Sequence, residues 1–301
     1  MISGISMSTT AQNSGTPFSL PGQACDCHAH VFGPYNRFPL ATERPYDPPV
    51  AAKESYLAML DNAGFARGVL VHGGANGWDH SAMLDALRAA PSRLRGIAVP
   101  PPNVTDEQLA NMNAAGVRGV RFTQVTGPSA ARAYDGRLDL AELPNFAPRL
   151  RKLGWHAQVW ANCDVIERNA AMLRSCGVPV VIDHLGYFDV SRGVTDSAFQ
   201  VVAQLLADGY VWAKLTAFRN SKGLAPYADV QPFHDTLVTA NPEQVVWGSD
   251  WPFLGMKGEK LPTVSSLLQI LFQWLPDPGL REQVLSRNPA RLYGFPRAPV
   301  R

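Results

Sequence analysis

Eight short runs of β-branched and other apolar residues recur along this chain, each followed by a longer stretch of helical period. That rhythm limits the fold more than any other feature. Parallel strands buried on both faces read as continuous apolar runs, and each needs a covering helix to reach the next. The runs are Ala24 to His30, Ala66 to His72, Arg95 to Val99, Gly119 to Thr123, His156 to Trp160, Val180 to His184, Val211 to Leu215 and Val245 to Ser249. Between them lie helical segments such as Ala51 to Asn62, Asp79 to Ala89, Asp106 to Ala114, Ala141 to Lys152 and Phe199 to Ala207. Gly64, Gly116, Gly154, Gly177 and Gly209 stand where a left-handed residue would end a helix. Eight unbroken βα units in 301 residues predict one α/β domain over residues 22–301, a single (β/α)8 barrel of the TIM type. Residues 1–21, rich in Ser, Thr, Gly and Pro, are expected to form a flexible N-terminal tail.

Charge excludes some partners. With 27 basic and 25 acidic residues, the net charge of +2 gives no field to draw nucleic acid or an anionic membrane. No apolar run approaches the roughly 20 residues of a membrane helix, and the N-terminus lacks the basic start and apolar stretch of an export signal. A cytoplasmic protein acting on a small molecule is expected, with monomer and homodimer both open. Four cysteines are too few for a disulfide scaffold. Cys25 and Cys27, two apart on a buried strand, project side by side and are read as small reduced hydrophobes.

The ionisable residues at strand ends carry the functional signal. His28 and His30 are separated by one residue, so on a strand both point to one face. His184 ends the sixth run and Asp250 follows the eighth. A parallel barrel gathers such residues at its C-terminal rim, where a polar cluster reads as catalytic. Each residue alone has a plainer reading, a satisfied core histidine or a turn-capping aspartate; their joint occurrence in this order is the informative fact. The loops 31–49 and 126–138 follow strands and so belong at the mouth of the barrel. The turn Gly73 to Gly77 lacks the Lys-Ser/Thr of a phosphate loop and reads as a tight βα connection. His72 ends an inward-facing strand and is expected to line the pocket, whereas His80 and His234 are expected to face solvent.

Four motifs carry a resemblance: His28-Ala-His30, Asp183-His184-Leu-Gly, Trp247-Gly-Ser-Asp250-Trp-Pro, and Asn288-Pro-Ala-Arg-Leu-Tyr-Gly-Phe295. Together, over residues 22–296, they resemble the amidohydrolase-2 branch of the amidohydrolase superfamily. Within it the chain is most similar to the 2-pyrone-4,6-dicarboxylate lactonases and their sulfomuconolactone and sugar-lactone relatives. The resemblance implies hydrolysis of a lactone ester, with Asp250 as general base for water and His28, His30 and His184 polarising the carbonyl. Arg121, Arg219 and Tyr46 match positions that contact substrate carboxylates in those enzymes. Two positions depart from their pattern: Tyr187 stands in place of a further carboxylate-binding arginine, and Gly74 in place of a serine. Arg132 or Arg137 would have to compensate, or the lactone differs. Many superfamily members hold zinc through the first-strand histidines, a fifth-strand ligand and the eighth-strand aspartate; here that set would be His28, His30, His156 and Asp250. His156 begins its strand, toward the barrel floor, and the rim positions fall on Gln158 or Trp160, so no metal or other cofactor is expected. Zn2+ in a hydrolase or decarboxylase of the same superfamily is the alternative, and a non-catalytic binder of a cyclic carboxylate is a second.

Overall fold

The computed structural model describes residues 19–126 and 134–296. Arg132 therefore lies outside the described residues, as does most of the expected tail. Eight parallel strands follow one another in chain order: β1 (Cys25–Ala29), β2 (Arg67–Val71), β3 (Leu94–Ala98), β4 (Val117–Gln124), β5 (His156–Ala161), β6 (Val180–Ile182), β7 (Val211–Lys214) and β8 (Val245–Val246). The sheet closes on itself through β1 and the residues after β8. Cys27 donates its N–H to the Trp247 carbonyl at 3.0 Å, Asp250 to His28 at 2.8 Å, and His30 to Trp251 at 2.8 Å. Gly248 permits this seam, because a Cβ there would lie 2.5 Å from the His28 Cβ.

Covering helices include α1 (Lys53–Ala63), α2 (Ser81–Ala89), α3 (Asp106–Ala114) and α4 (Leu143–Leu153) in the first half of the barrel. The second half carries α5 (Cys163–Arg168), α6 (Ala170–Ser175), α7 (Ser197–Ala207), α8 (Gln231–Ala240), α9 (Val264–Trp274), α10 (Pro278–Glu282) and α11 (Asn288–Tyr293). In α4, Leu143, Phe146, Ala147 and Leu150 recur at helical spacing and are all buried. Phe146 packs edge-on against Phe122 of β4 at 5.7 Å, so Phe146→Ala would cost about 3–5 kcal/mol. A Thr105–Gln108 capping box starts α3, and Gly64 and Gly154 end α1 and α4 at φ 84° and 66°.

Strand alternation sorts the interior. Val120 and Phe122, Ala157 and Val159, Val180 and Ile182, and Val211 and Ala213 pack outward against the helices. The opposite face encloses an apolar floor of Cys25, Cys27, Val69, Ile97, Val181, Trp212 and Val246, closed below by Tyr293 and Phe295. Above it the inward positions turn polar: Arg121, Gln158 and Lys214. All four cysteines are free and buried. No described helix is long and apolar enough to cross a membrane.

β1 departs from simple alternation. Its register against β2 shifts between Asp26 and Ala29, so Asp26 faces α1, near the Tyr56 hydroxyl at 3.3 Å. His28, two residues on, is inside the barrel. The sixth and eighth strands also stop short of the runs in the sequence. His184 and Asp250 lie beyond them in turns of left-handed backbone, at φ 51° and 58°.

Candidate active site

Asp250 is the centre of the site. Its amide is fixed by the His28 carbonyl, and its side chain is 2% exposed. Oδ1 faces His30 Nε2 at 3.3 Å and His28 Nε2 at 3.6 Å, while Oδ2 accepts from Arg219 Nε. Burial alone would raise this carboxyl's pKa, but Arg219, then the three histidines, outweigh it and hold the pKa well below the ordinary range. His30 is oriented from behind, with Nδ1 2.8 Å from the Val71 carbonyl. The His184 ring lies 4.9 Å from that of His28, and its backbone carbonyl accepts from Asn220 at 2.7 Å. Burial lowers the His184 pKa to about 4, so its imidazole is neutral at neutral pH. His28 Nε2 and His184 Nδ1 have no hydrogen-bond partner among the described residues. The four residues drawn from three distant parts of the sequence thus meet at one rim.

A second, buried layer lies beneath them. Asp183 Oδ2 accepts from Arg121 Nε and Nη2, both at 2.9 Å, and from Gln158 Nε2 at 3.0 Å. Gln158 Oε1 accepts from Lys214 Nζ at 2.7 Å, and Nζ reaches His28 Nδ1 at 3.3 Å. Burial opposes the charge on Asp183, yet Lys214, Arg121 and His28 keep its pKa well below the usual value. The sequence reading placed Gln158 at the rim of β5, but Asp183 stood out only as part of a motif and Lys214 not at all. Asp26 was missed as well: it receives the Ser249 N–H and hydroxyl, each at 2.7 Å, tying β1 to the residue before Asp250. Burial raises the Asp26 pKa to about 6 against those hydrogen bonds.

The expected substrate contacts fall around the rim. Arg121, anchored by Asp183, lies 4.8 Å over the Trp160 ring, and Tyr187 meets Trp160 edge-on at 6.3 Å. Arg219 is engaged with Asp250 and with the Leu254 carbonyl at 2.6 Å. Tyr46 stands against Phe32 at 6.3 Å. The absent side chain at Gly74 is answered by Tyr134, whose ring would meet a Cβ there at 2.7 Å; Arg121 and Arg137 both lie near enough to act on its hydroxyl. His72 is placed in the glycine turn, its Nε2 2.7 Å from the Gly77 carbonyl and its face stacked on His80 at 4.1 Å.

Two expectations are corrected. His80 and His234 do not face solvent; they are 5% and 1% exposed. His80 Nε2 accepts the Val99 N–H at 3.1 Å, and His234 packs against Trp274 at 5.0 Å. Both rings bury because a neighbouring strand end or helix offers a partner that helix position alone does not reveal. His156 is at the floor, as its place in β5 predicts, 5.3 Å from the Tyr293 ring.

A divalent ion can be tested against these residues. His28, His30 and Asp250 offer donor atoms within 4.8 Å of one another, spaced as three ligands would be. The charges do not suit it. Asp183 and Asp250 already face three cations, Arg121, Lys214 and Arg219, and the fifth strand supplies the amide of Gln158, which is occupied on both sides. The residues fit an ion in position and not in electrostatics.

The Amidohydrolase family profile matches residues 25–295. The chain is 36% identical over 286 residues to 4-sulfomuconolactone hydrolase of Rhizobium radiobacter, covering 94% of each. It is 34% identical over 293 residues to 2-pyrone-4,6-dicarboxylate hydrolase of Comamonas testosteroni, again covering 94% of each. Among solved structures, a probable 2-pyrone-4,6-dicarboxylic acid hydrolase of Acinetobacter baumannii with citric acid bound superposes with a TM-score of 0.76 at 27% identity. That match covers 91% of this chain and 100% of the other.

Proposed function

This chain belongs to the amidohydrolase family, and from that premise we propose that it hydrolyses the ester bond of an anionic lactone without a metal. The observation that carries the reading is the convergence of His28 and His30 on the Asp250 carboxylate, with an unpartnered His184 nitrogen beside them. A base and hydrogen-bond donors at one point are what addition of water to an ester carbonyl requires.

In this mechanism Asp250 takes a proton from water as the oxygen adds to the lactone carbonyl carbon. His28 and His184 hydrogen-bond the oxygen on which negative charge develops; His30 joins them only as an imidazolium, because its Nδ1–H is already given to the Val71 carbonyl. The tetrahedral carbon then expels the ring oxygen, which receives the proton from Asp250, giving a hydroxy acid or its keto tautomer. The new carboxylic acid ionises, so each turnover releases one proton. Because two carboxylates face three cations at the site, the pocket favours a substrate that brings its own negative charge. In this reading Arg121 and Arg219 receive that charge, with Tyr46, Tyr187 and Tyr134 around the rim. The named relatives support a pyrone dicarboxylate or a sulfonated muconolactone as the substrate class.

The test is proton release from a panel of 2-pyrone-4,6-dicarboxylate, 4-sulfomuconolactone and uncharged sugar lactones. Ring opening of an anionic member in preference to the uncharged ones is expected. A panel in which nothing opens would overturn the reading.

A further inference from the structure

The arrangement leaves open which ring nitrogen of His28 carries the proton, and a buried cation answers it. Lys214, the last residue of β7, is fully buried, and no role follows for it from the hydrolytic scheme. Its Nζ sits among three acceptors: Gln158 Oε1 at 2.7 Å, His28 Nδ1 at 3.3 Å and Asp183 Oδ1 at 3.4 Å. Arg121, His156 and Cys27 complete the ionisable surroundings. An ammonium has three protons and no lone pair, so three acceptors are the partners it calls for.

We propose that Lys214 is a positioning residue that fixes His28 as the Nε2–H tautomer, and so makes it a hydrogen-bond donor to the reacting oxygen. His28 Nδ1 has two candidates at nearly equal distance. Toward Lys214 Nζ it is in hydrogen-bonding geometry. Toward Asp183 Oδ1 it is 3.4 Å away and outside hydrogen-bonding geometry, and the same oxygen has the Lys214 ammonium at 3.4 Å to offset its charge. An ammonium donates, so the nitrogen facing it must present its lone pair, and the ring proton goes to Nε2. Nε2 is the atom without a hydrogen-bond partner that faces the reaction centre, 3.6 Å from Asp250 Oδ1. The chain Asp183, Gln158, Lys214, His28 is thus oriented end to end: the Gln158 amide gives its N–H to Asp183 and its oxygen to Lys214. A metal bound at Nε2 would need that lone pair and would drive the proton onto Nδ1, directly against the ammonium. The same contact that makes His28 a donor therefore disfavours it as a ligand.

The kinetic consequence rests on the lactonase reading, but the tautomer can be read without substrate. In uniformly 15N-histidine-labelled wild-type protein at neutral pH, the His28 resonances, assigned by their loss in His28→Gln, should show a protonated Nε2 and a bare Nδ1. A protonated Nδ1 overturns the inference even if lactones open normally; the expected tautomer with no lactone opened leaves it standing while the lactonase reading falls. In Lys214→Met, with a circular dichroism spectrum like wild type, kcat should drop about 100-fold with KM changed by less than about threefold. The same variant should retain more zinc than wild type after dialysis against equal zinc. An unchanged kcat in a folded Lys214→Met, or zinc retention no greater than wild type, would equally overturn it.

Discussion

The floor and the mouth of this barrel bury similar side chains and treat them differently. At the floor, Arg67 and Arg95 lie over the Phe295 ring at 5.0 and 4.5 Å and give their protons to backbone carbonyls. His156 stands against Tyr293, and burial lowers its pKa to about 3. Among the described residues, no carboxylate pairs with these three side chains. At the mouth, histidines and arginines instead surround Asp183 and Asp250, and the backbone is strained. His184, Leu185, Tyr187, Asp250 and Phe253 all adopt positive φ, a conformation that costs a bulky residue on the order of 1–3 kcal/mol. Burial of a titratable group is therefore common to both ends. What separates them, among the described residues, is that the mouth sets cations and imidazoles on carboxylates and has several non-glycine residues at positive φ around them, whereas the floor end has Gln23, before β1, at φ 65°.

That contrast predicts how substitutions at the two ends should diverge. The largest effect belongs to Asp250→Asn, which keeps shape and removes the base: kcat should fall roughly 10^2- to 10^4-fold with the fold intact, and near wild-type turnover in a proton-release assay would break the distinction. Next is Arg121→Met. It strips Asp183 of its main partner, so urea unfolding should show a loss of about 3–5 kcal/mol, and any surviving enzyme should bind its anionic substrate more weakly. Arg67→Met at the floor should leave KM unchanged.

Acid should act through both ends alike. Burial lowers His72 and His184 to about 4 and His156 to about 3, below the roughly 6.5 of an unfolded imidazole. The unfolded chain then binds more protons between those limits. The stabilisation from neutral burial is complete above about pH 6.5 and lost progressively toward pH 4, up to about 1.4 kcal/mol per pH unit for each group. Denaturant midpoints measured across pH 4–7 check it, and midpoints that rise on acidification would contradict it. The smallest effect is His156→Phe, which should shift stability modestly while leaving kcat and KM as they are; a loss of activity would place the floor histidine in the site after all.

The strands, their order and the rim cluster were legible because period-two and period-3.6 patterns are local, and because a parallel barrel always brings strand ends together. The register shift in β1 was not legible, since alternation assigns Asp26 and His28 to one face while the irregularity between Asp26 and Ala29 separates them. Lys214 went unnoticed for a related reason, and Gln158 was read as a rim position without its partners. A lysine at a strand end ordinarily reads as solvated, and only the closed sheet places its ammonium against Gln158, Asp183 and His28. His80 and His234 look exposed on helical position alone; their partners, the Val99 N–H and the Trp274 ring, come from elsewhere in the chain. The filling of the space above Gly74 by Tyr134 depends likewise on contact across 60 residues. Long-range pairing, not local propensity, decided each of these.

In the proposed mechanism, protein cations and imidazoles do the polarising work. The most direct measurement is the turnover of an anionic lactone by enzyme exhaustively treated with chelator, with bound zinc determined on the same sample. Undiminished ring opening at substoichiometric metal is the predicted result. Activity that vanishes with the metal and returns in proportion to one added zinc per chain would contradict it.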